Sequence, residues 1–115
     1  MIMDGYKFDE YGNMVESDVY IVWGSPASGK TTYVKEHMED GDIIIDLDLI
    51  KQSLSMHDKT NAPDNLLTVA ISVRDHLYRL VERREFNCNN VWIIAGLPSS
   101  KDRKALAARL KVTNL

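Results

Sequence analysis

The sequence predicts an α/β fold, a three-layer sandwich built on a small parallel sheet, and three observations carry that prediction. Residues 19–23 (Val-Tyr-Ile-Val-Trp), 43–45 (Ile-Ile-Ile) and 91–95 (Val-Trp-Ile-Ile-Ala) are short, continuously apolar runs rich in β-branched and aromatic residues. Unbroken runs of this length suit strands covered on both faces, as in a parallel sheet. The segments between them carry helical periodicity, and strands alternating with helices imply parallel strands joined by right-handed crossovers. A glycine-rich break directly after the first run marks a tight strand-to-helix turn.

The elements follow in order. Residues 1–17 are polar and aromatic with turn signals at Asp4-Gly5 and Tyr11-Gly12-Asn13, so they read as an arm or short hairpin laid against a domain spanning 18–115. Phe8 and Tyr11 are its packing anchors. After the first strand and the glycine loop, Tyr33, Val34, His37 and Met38 recur at helical spacing. That helix opens near Lys30 and is expected to end near Asp40-Gly41, with the glycine as C-cap. The second strand is closed by Asp46-Leu47-Asp48, and a short helix covers Leu49 to about Met56. Residues 57–63 are loop. From Asp64 to Glu85 an amphipathic helix places Leu66, Val69, Ala70, Val73, Leu77, Leu80 and Val81 on one face. Residues 86–90 form a turn before the third strand. Ser99, with Asp102 three residues on, opens a helix that runs to about Leu110. Residues 112–115 begin a fourth strand.

A chain of 115 residues accommodates one domain. Its 44% hydrophobic and 27% charged content is ordinary for a soluble globular protein. A formal charge of -3 lends no support to nucleic-acid coating or membrane-surface binding, although a local basic cleft is compatible with it. Cys88 is the one cysteine, which excludes an intrachain disulfide and a multi-cysteine zinc site and suits a reduced, cytoplasmic setting. The first residues lack a basic-then-apolar leader, and no run approaches the ~18 apolar residues of a membrane span.

The chemistry concentrates in Gly24-Ser25-Pro26-Ala27-Ser28-Gly29-Lys30-Thr31, which fits G-x-x-x-x-G-K-[ST] at every fixed position. A loop wrapped round a phosphate points successive backbone N–H groups inward, in conformations that glycine adopts cheaply. The helix that follows adds free N–H groups and a favourable dipole. Lys30 is placed to reach the β- and γ-phosphates, Thr31 to offer its hydroxyl to Mg²⁺, and Thr32 to touch the α-phosphate. With Gly at about 7% of residues, the fixed positions arise by chance in well under about one chain in a hundred, so a solvated glycine turn is the weaker reading.

The carboxyl ends of parallel strands face the ligand crevice, so Asp46 and Asp48, at the end of the second strand, are expected near the phosphates. Such a carboxylate accepts a proton from an attacking hydroxyl or belongs to the Mg²⁺ shell. Residues 21–32 with 43–53 resemble the P-loop kinase group that contains bacteriophage polynucleotide kinases and zeta-toxin-type kinases. The resemblance extends over 18–115 in element order, but only the loop and Asp48-Leu49-Ile50-Lys51-Gln52-Ser53 carry specific residues.

The resemblance implies a P-loop NTPase fold and transfer of the γ-phosphate of ATP, with Mg²⁺, to a hydroxyl of a nucleotide, a polynucleotide or another small acceptor. It implies that Asp48 is the base and that Lys51 meets an acceptor phosphate, where the group more often has Arg; the two cations are not equivalent at a bidentate site. Helix capping by Asp48 and solvation of Lys51 are the structural alternatives. Asp46 is the candidate to stand in for the acidic residue that the third strand lacks. Relative to that group the chain reads as the first two-thirds of a domain, without further strands and an arginine-bearing lid. It is a shortened chain, a degenerate relative, or a protein whose sheet a second copy or a partner completes. An NTP-binding or hydrolysing module with a regulatory or assembly role is the alternative function. No N-K-x-D guanine signature is present, so ATP over GTP rests on the resemblance alone.

The remaining charged residues have structural readings. Arg79, Arg83 and Arg84 end the long helix on a solvated face, where cations suit the dipole. Arg103, Lys104, Arg109 and Lys111 read as a solvated basic face, with Arg103 near enough to the third strand to approach the site. His37, His57 and His76 show no metal-ligand spacing, and Trp23 and Trp92 read as core.

Overall fold

The computed structural model describes residues 3–8, 14–26, 28–56, 64–86, 90–97 and 99–114, with side chains described within 19–112. Ala27, His57, Cys88, Pro98, Tyr11 and the turn at 87–89 lie outside the described residues. The elements are β1 (Met3–Phe8), β2 (Met14–Trp23), α1 (Lys30–His37), β3 (Ile43–Asp46), α2 (Leu47–Ser55), a 3₁₀ turn (Asp64–Leu66), α3 (Leu67–Glu82), β4 (Asn90–Ala95), α4 (Ser100–Leu110) and β5 (Thr113–Asn114). The sheet order is β3-β4-β2-β1-β5.

The three apolar runs form the parallel part of the sheet. β2 pairs with β4 from Asp18↔Asn90 to Trp23↔Ala95, and β3 pairs with β4 from Ile43↔Val91 to Asp46↔Ile94. β2 starts five residues earlier than its apolar run, because residues 14–17 pair antiparallel with β1. Its two halves therefore serve different neighbours. β5 pairs antiparallel with β1 (Met3↔Asn114), and so does not extend the parallel set.

Alternation within the runs becomes visible only against the helices. Val19 and Ile21, with Ile45, Val91 and Ile93, point to one face and pack with Tyr78, Val81, Ala107 and Leu110 of α3 and α4. Val22, Trp92 and Ile94 point to the other and pack with Val34 of α1. Both faces are covered, so both alternating sets must be apolar. Ile21 and Ile93 are fully buried, each contributing about 1.5–3 kcal/mol of transfer free energy. Trp92, at 5% exposure, stacks on Tyr20 with ring centroids 4.4 Å apart, so the core reading holds for it.

Several element boundaries need correction. α1 stops at His37, not at Asp40-Gly41, and Met38 is already extended (ψ 153°). The cause lies downstream. The Asp42 carboxylate accepts the Glu39 backbone N–H (2.8 Å), the Trp92 Nε1–H (2.9 Å) and the Asn90 side-chain amide (3.0 Å), which pins the chain to the start of β4. Gly41 (φ +88°) serves the turn into β3 instead. α2 begins at Leu47, so its N-cap position is Asp46, which makes no side-chain capping bond; Asp48 lies inside the first turn. Residues 64–66 form a 3₁₀ turn, and α3 ends at Glu82. Val69, expected on its buried face, is 52% exposed, and the contact face runs through Ala70, Arg74, Leu77, Tyr78 and Val81.

Ser99 caps α4 as expected, its Oγ accepting the Lys101 and Asp102 N–H groups (3.1 and 3.4 Å). Two arginines assigned to solvent instead join helices. Arg109 bonds Glu82 (2.6 Å) and Asp75 (2.9 Å) on α3, and Arg84 donates to the Val81 carbonyl and to the Leu110 and Lys111 carbonyls at the end of α4 (2.9 and 3.1 Å). Among the described residues no helix is long and apolar enough to cross a membrane.

Candidate functional site

The glycine loop joins β2 to α1, and its two fixed glycines are required for separate reasons. Gly24 has φ +152°, and a Cβ there would lie 2.5 Å from Ser28 Oγ. Gly29 has φ +86° with open space around it, and it forms the left-handed N-cap of α1. Left-handed backbone is costly for residues with a Cβ, so glycine is the economical choice at both. The Ser28 N–H bonds the Ser25 carbonyl (3.1 Å), closing a turn, and the Tyr33 N–H bonds the Gly29 carbonyl (2.9 Å) to start the helix. Lys30 folds back over this turn, its Nζ donating to the Gly24 and Ser25 carbonyls at 2.6 and 2.7 Å.

This loop forms one wall of a cavity of about 510 Å³ at the carboxyl ends of the parallel strands. Pro26 and residues 29–32 line that wall. Asp46, Ile94, Ala95 and Gly96, from the ends of β3 and β4, line the floor. Asp48 of α2 and Arg74 of α3 complete it. β2 and β4 are neighbours whose following helices, α1 and α4, cover opposite faces of the sheet, which is the arrangement that opens a crevice between strand ends.

The cavity thus gathers Pro26, Gly29, Lys30, Thr31, Thr32, Asp46 and Asp48 of the expected site residues. Asp46 is 6% exposed, and its Oδ2 is buried with no hydrogen bond among the described residues, although Asp46 has other interactions. Asp48 is exposed in the first turn of α2, where a carboxylate suits the dipole. Gly24 and Ser25 do not line this cavity and contribute carbonyl oxygens to Lys30; Ser28 is exposed on the loop.

Lys51 is not brought in. Its Nζ lies 3.8 Å from Asp64 Oδ1, and it does not line the cavity. Among the described residues, no three His, Cys, Asp or Glu side chains form a metal-binding group.

Arg74 is the cavity residue that the sequence reading omitted. The signal was present: Arg74 lies four residues after Ala70 and four before Tyr78, both buried, so a charge occupies a core-facing slot. Its guanidinium carbon sits 5.7 Å from the Tyr78 ring centroid. Burial pushes the Tyr78 phenol above its ordinary range, with Arg74 and Arg109 pulling against that rise.

Beside the loop, a cavity of about 380 Å³ is bounded by Trp23, Gly24, Pro26 and Arg103. Arg103 stacks 3.8 Å above the Trp23 ring and donates to the Leu97 carbonyl (3.0 Å), so it serves the half-buried Trp23 and does not line the main cavity.

Neither a family model, a curated protein nor a solved structure matches this chain, so its site is read from its own residues.

Proposed function

We propose that this chain is a small P-loop phosphotransferase that moves the γ-phosphate of ATP to the hydroxyl of a nucleotide, a polynucleotide or another small acceptor. One observation carries the reading: the loop with Lys30 and Thr31 shares a single cavity with Asp48. The loop's N–H groups and the α1 N-terminus suit the triphosphate, and Lys30 exchanges its two carbonyl partners for phosphate oxygens. Asp48 accepts the proton of the acceptor hydroxyl. The acceptor oxygen then bonds the γ-phosphorus, the bond to the β–γ bridging oxygen breaks, and ADP leaves.

Mg²⁺ suits the donor set, because a hydroxyl and a buried carboxylate, Thr31 and Asp46, line the same cavity as the phosphate loop. Mg²⁺ takes one or two carboxylates and completes its shell with phosphates and waters, so a three-carboxylate cluster is not required. When bound, the ion supplies neutralisation of phosphate charge.

The placement of Lys51 outside the cavity favours a second reading, an NTP-binding or hydrolysing module with a regulatory or assembly role. Mass spectrometry of reactions with ATP, Mg²⁺ and a panel of nucleosides, nucleotides and 5′-hydroxyl oligonucleotides separates the two. The kinase reading expects a phosphorylated acceptor whose formation Asp48→Asn abolishes. Transfer unchanged by Asp48→Asn removes Asp48 as the base, and ADP without any phosphorylated acceptor supports the second reading.

A further inference from the structure

Arg74 presents a guanidinium in a wall that otherwise belongs to the core face of α3. The other described cations on α4 and on or just after α3 whose contacts are defined are committed to the protein: Arg79 and Arg109 to Asp75, Arg84 to carbonyls at the end of α4, Arg103 to Trp23 and Leu97. Arg74 packs over Tyr78, and forms no ion pair among the described residues although Asp46 and Asp48 line the same cavity. A guanidinium over a ring keeps the N–H donors of its planar fork for an anion, the geometry that matches phosphate or carboxylate.

Its position indicates which anion. α2 and α3 pack together, so Asp48 and Arg74 enter the cavity from one helix pair, whereas Lys30 and Thr31 enter it from α1, which packs on β2 and β4. A cation on the helix packed against the one that bears the base serves the molecule whose hydroxyl meets that base. We infer that Arg74 holds an anionic group of the acceptor, which makes the acceptor a phosphate- or carboxylate-bearing hydroxyl compound and not a neutral sugar or nucleoside. This inference rests on the phosphotransferase reading, and it gives Arg74 the role that the resemblance implied for Lys51.

Isothermal titration tests it, with inorganic phosphate added to protein already saturated with Mg²⁺ and a non-hydrolysable ATP analogue, so that the loop is filled. Wild-type protein binds phosphate at this second position. Arg74→Gln weakens that binding at least about tenfold, the usual scale for losing a charge-assisted bond, while analogue affinity stays within about threefold. Arg74→Lys, which keeps the charge and loses the fork, falls between the two. Should Arg74→Gln fail to fold by circular dichroism, Arg74→Lys carries the test: phosphate binding weakened at least about threefold with analogue affinity kept supports the assignment. Phosphate binding that is absent in wild type, or unchanged in the variants, overturns it. Equal loss of analogue and phosphate assigns Arg74 to the donor and also overturns it. Failure of the wild type to bind the analogue at all is a different result, and it overturns the phosphate-loop reading beneath this one.

Discussion

Replacing Gly24 by alanine strikes the loop at its tightest point. The new Cβ would lie 2.5 Å from Ser28 Oγ, 3.2 Å from Ser28 Cβ and 3.8 Å from Lys30 Cγ, on a backbone with φ +152°. Ser28 is exposed, so its hydroxyl can rotate away, but its Cβ moves only if the loop moves. Backbone strain of order 1–3 kcal/mol remains whatever the side chain does. With the residual contact the expected loss is about 2–4 kcal/mol, or a fall in Tm of roughly 4 °C per kcal/mol in a chain of this size. Gly29→Ala is the internal control. Its φ is +86°, but nothing lies within 4 Å of the added carbon, so only the left-handed penalty of about 1–2 kcal/mol applies. A double-mutant cycle with Ser28→Gly isolates the contact. Urea unfolding followed by circular dichroism should show Gly24→Ala costing more than Gly29→Ala, with the Gly24–Ser28 pair non-additive by at least about 1 kcal/mol. Equal costs at the two glycines, or additivity within about 0.5 kcal/mol, would refute the close packing of this loop.

Two further outcomes follow from contacts away from the loop. Asp42→Ala removes the acceptor of the Asn90 amide and of the Trp92 Nε1–H, and should cost about 2–4 kcal/mol in urea unfolding, with Asp42→Asn intermediate; a cost below about 0.5 kcal/mol would contradict the tie between the α1–β3 turn and β4. The Arg109 hydrogen bond, more than any other contact, holds the Asp75 carboxyl below its ordinary value of 3.8. A carboxyl with a depressed folded pKa stabilises above its unfolded pKa and loses that contribution as pH falls through the folded one. The Tm gap between wild type and Arg109→Met should therefore be present at pH 7 and narrow below about pH 4; a gap constant across that range contradicts the pairing.

How much of this was legible in the sequence depends on the reach of each interaction. The three parallel strands were visible because burial on both faces removes the polar half of the alternation, leaving unbroken runs at 19–23, 43–45 and 91–95. The loop was legible because its glycines sit at positive φ for local reasons, and Ser99 because a cap bonds within its own turn. The end of α1 was not, since it depends on Asp42 meeting residues 48 and 50 positions away. Residues 14–17 (Met-Val-Glu-Ser) join β2 through β1; the turn signals pointed to an arm or hairpin there, but not to its continuity with the buried strand. Arg84 and Arg109 looked like a solvated surface because their partners lie 26 and 27 residues distant. Arg74 follows from the spacing of Ala70 and Tyr78, because the face of α3 that takes in Ala70, Leu77 and Val81 also passes through 74 and 78. Lys51 shows the converse: its place in a recognised spacing did not bring it to the cavity wall.

The central claim is that this loop holds the phosphates of a nucleoside triphosphate, and direct titration of the protein with a Mg²⁺-bound, non-hydrolysable ATP analogue tests it. The expected result is saturable binding at one site per chain that Lys30→Ala weakens roughly ten- to a hundredfold, the loss of one charge-assisted phosphate contact. Binding unaffected by Lys30→Ala, or no binding by the folded wild-type protein, would contradict the account.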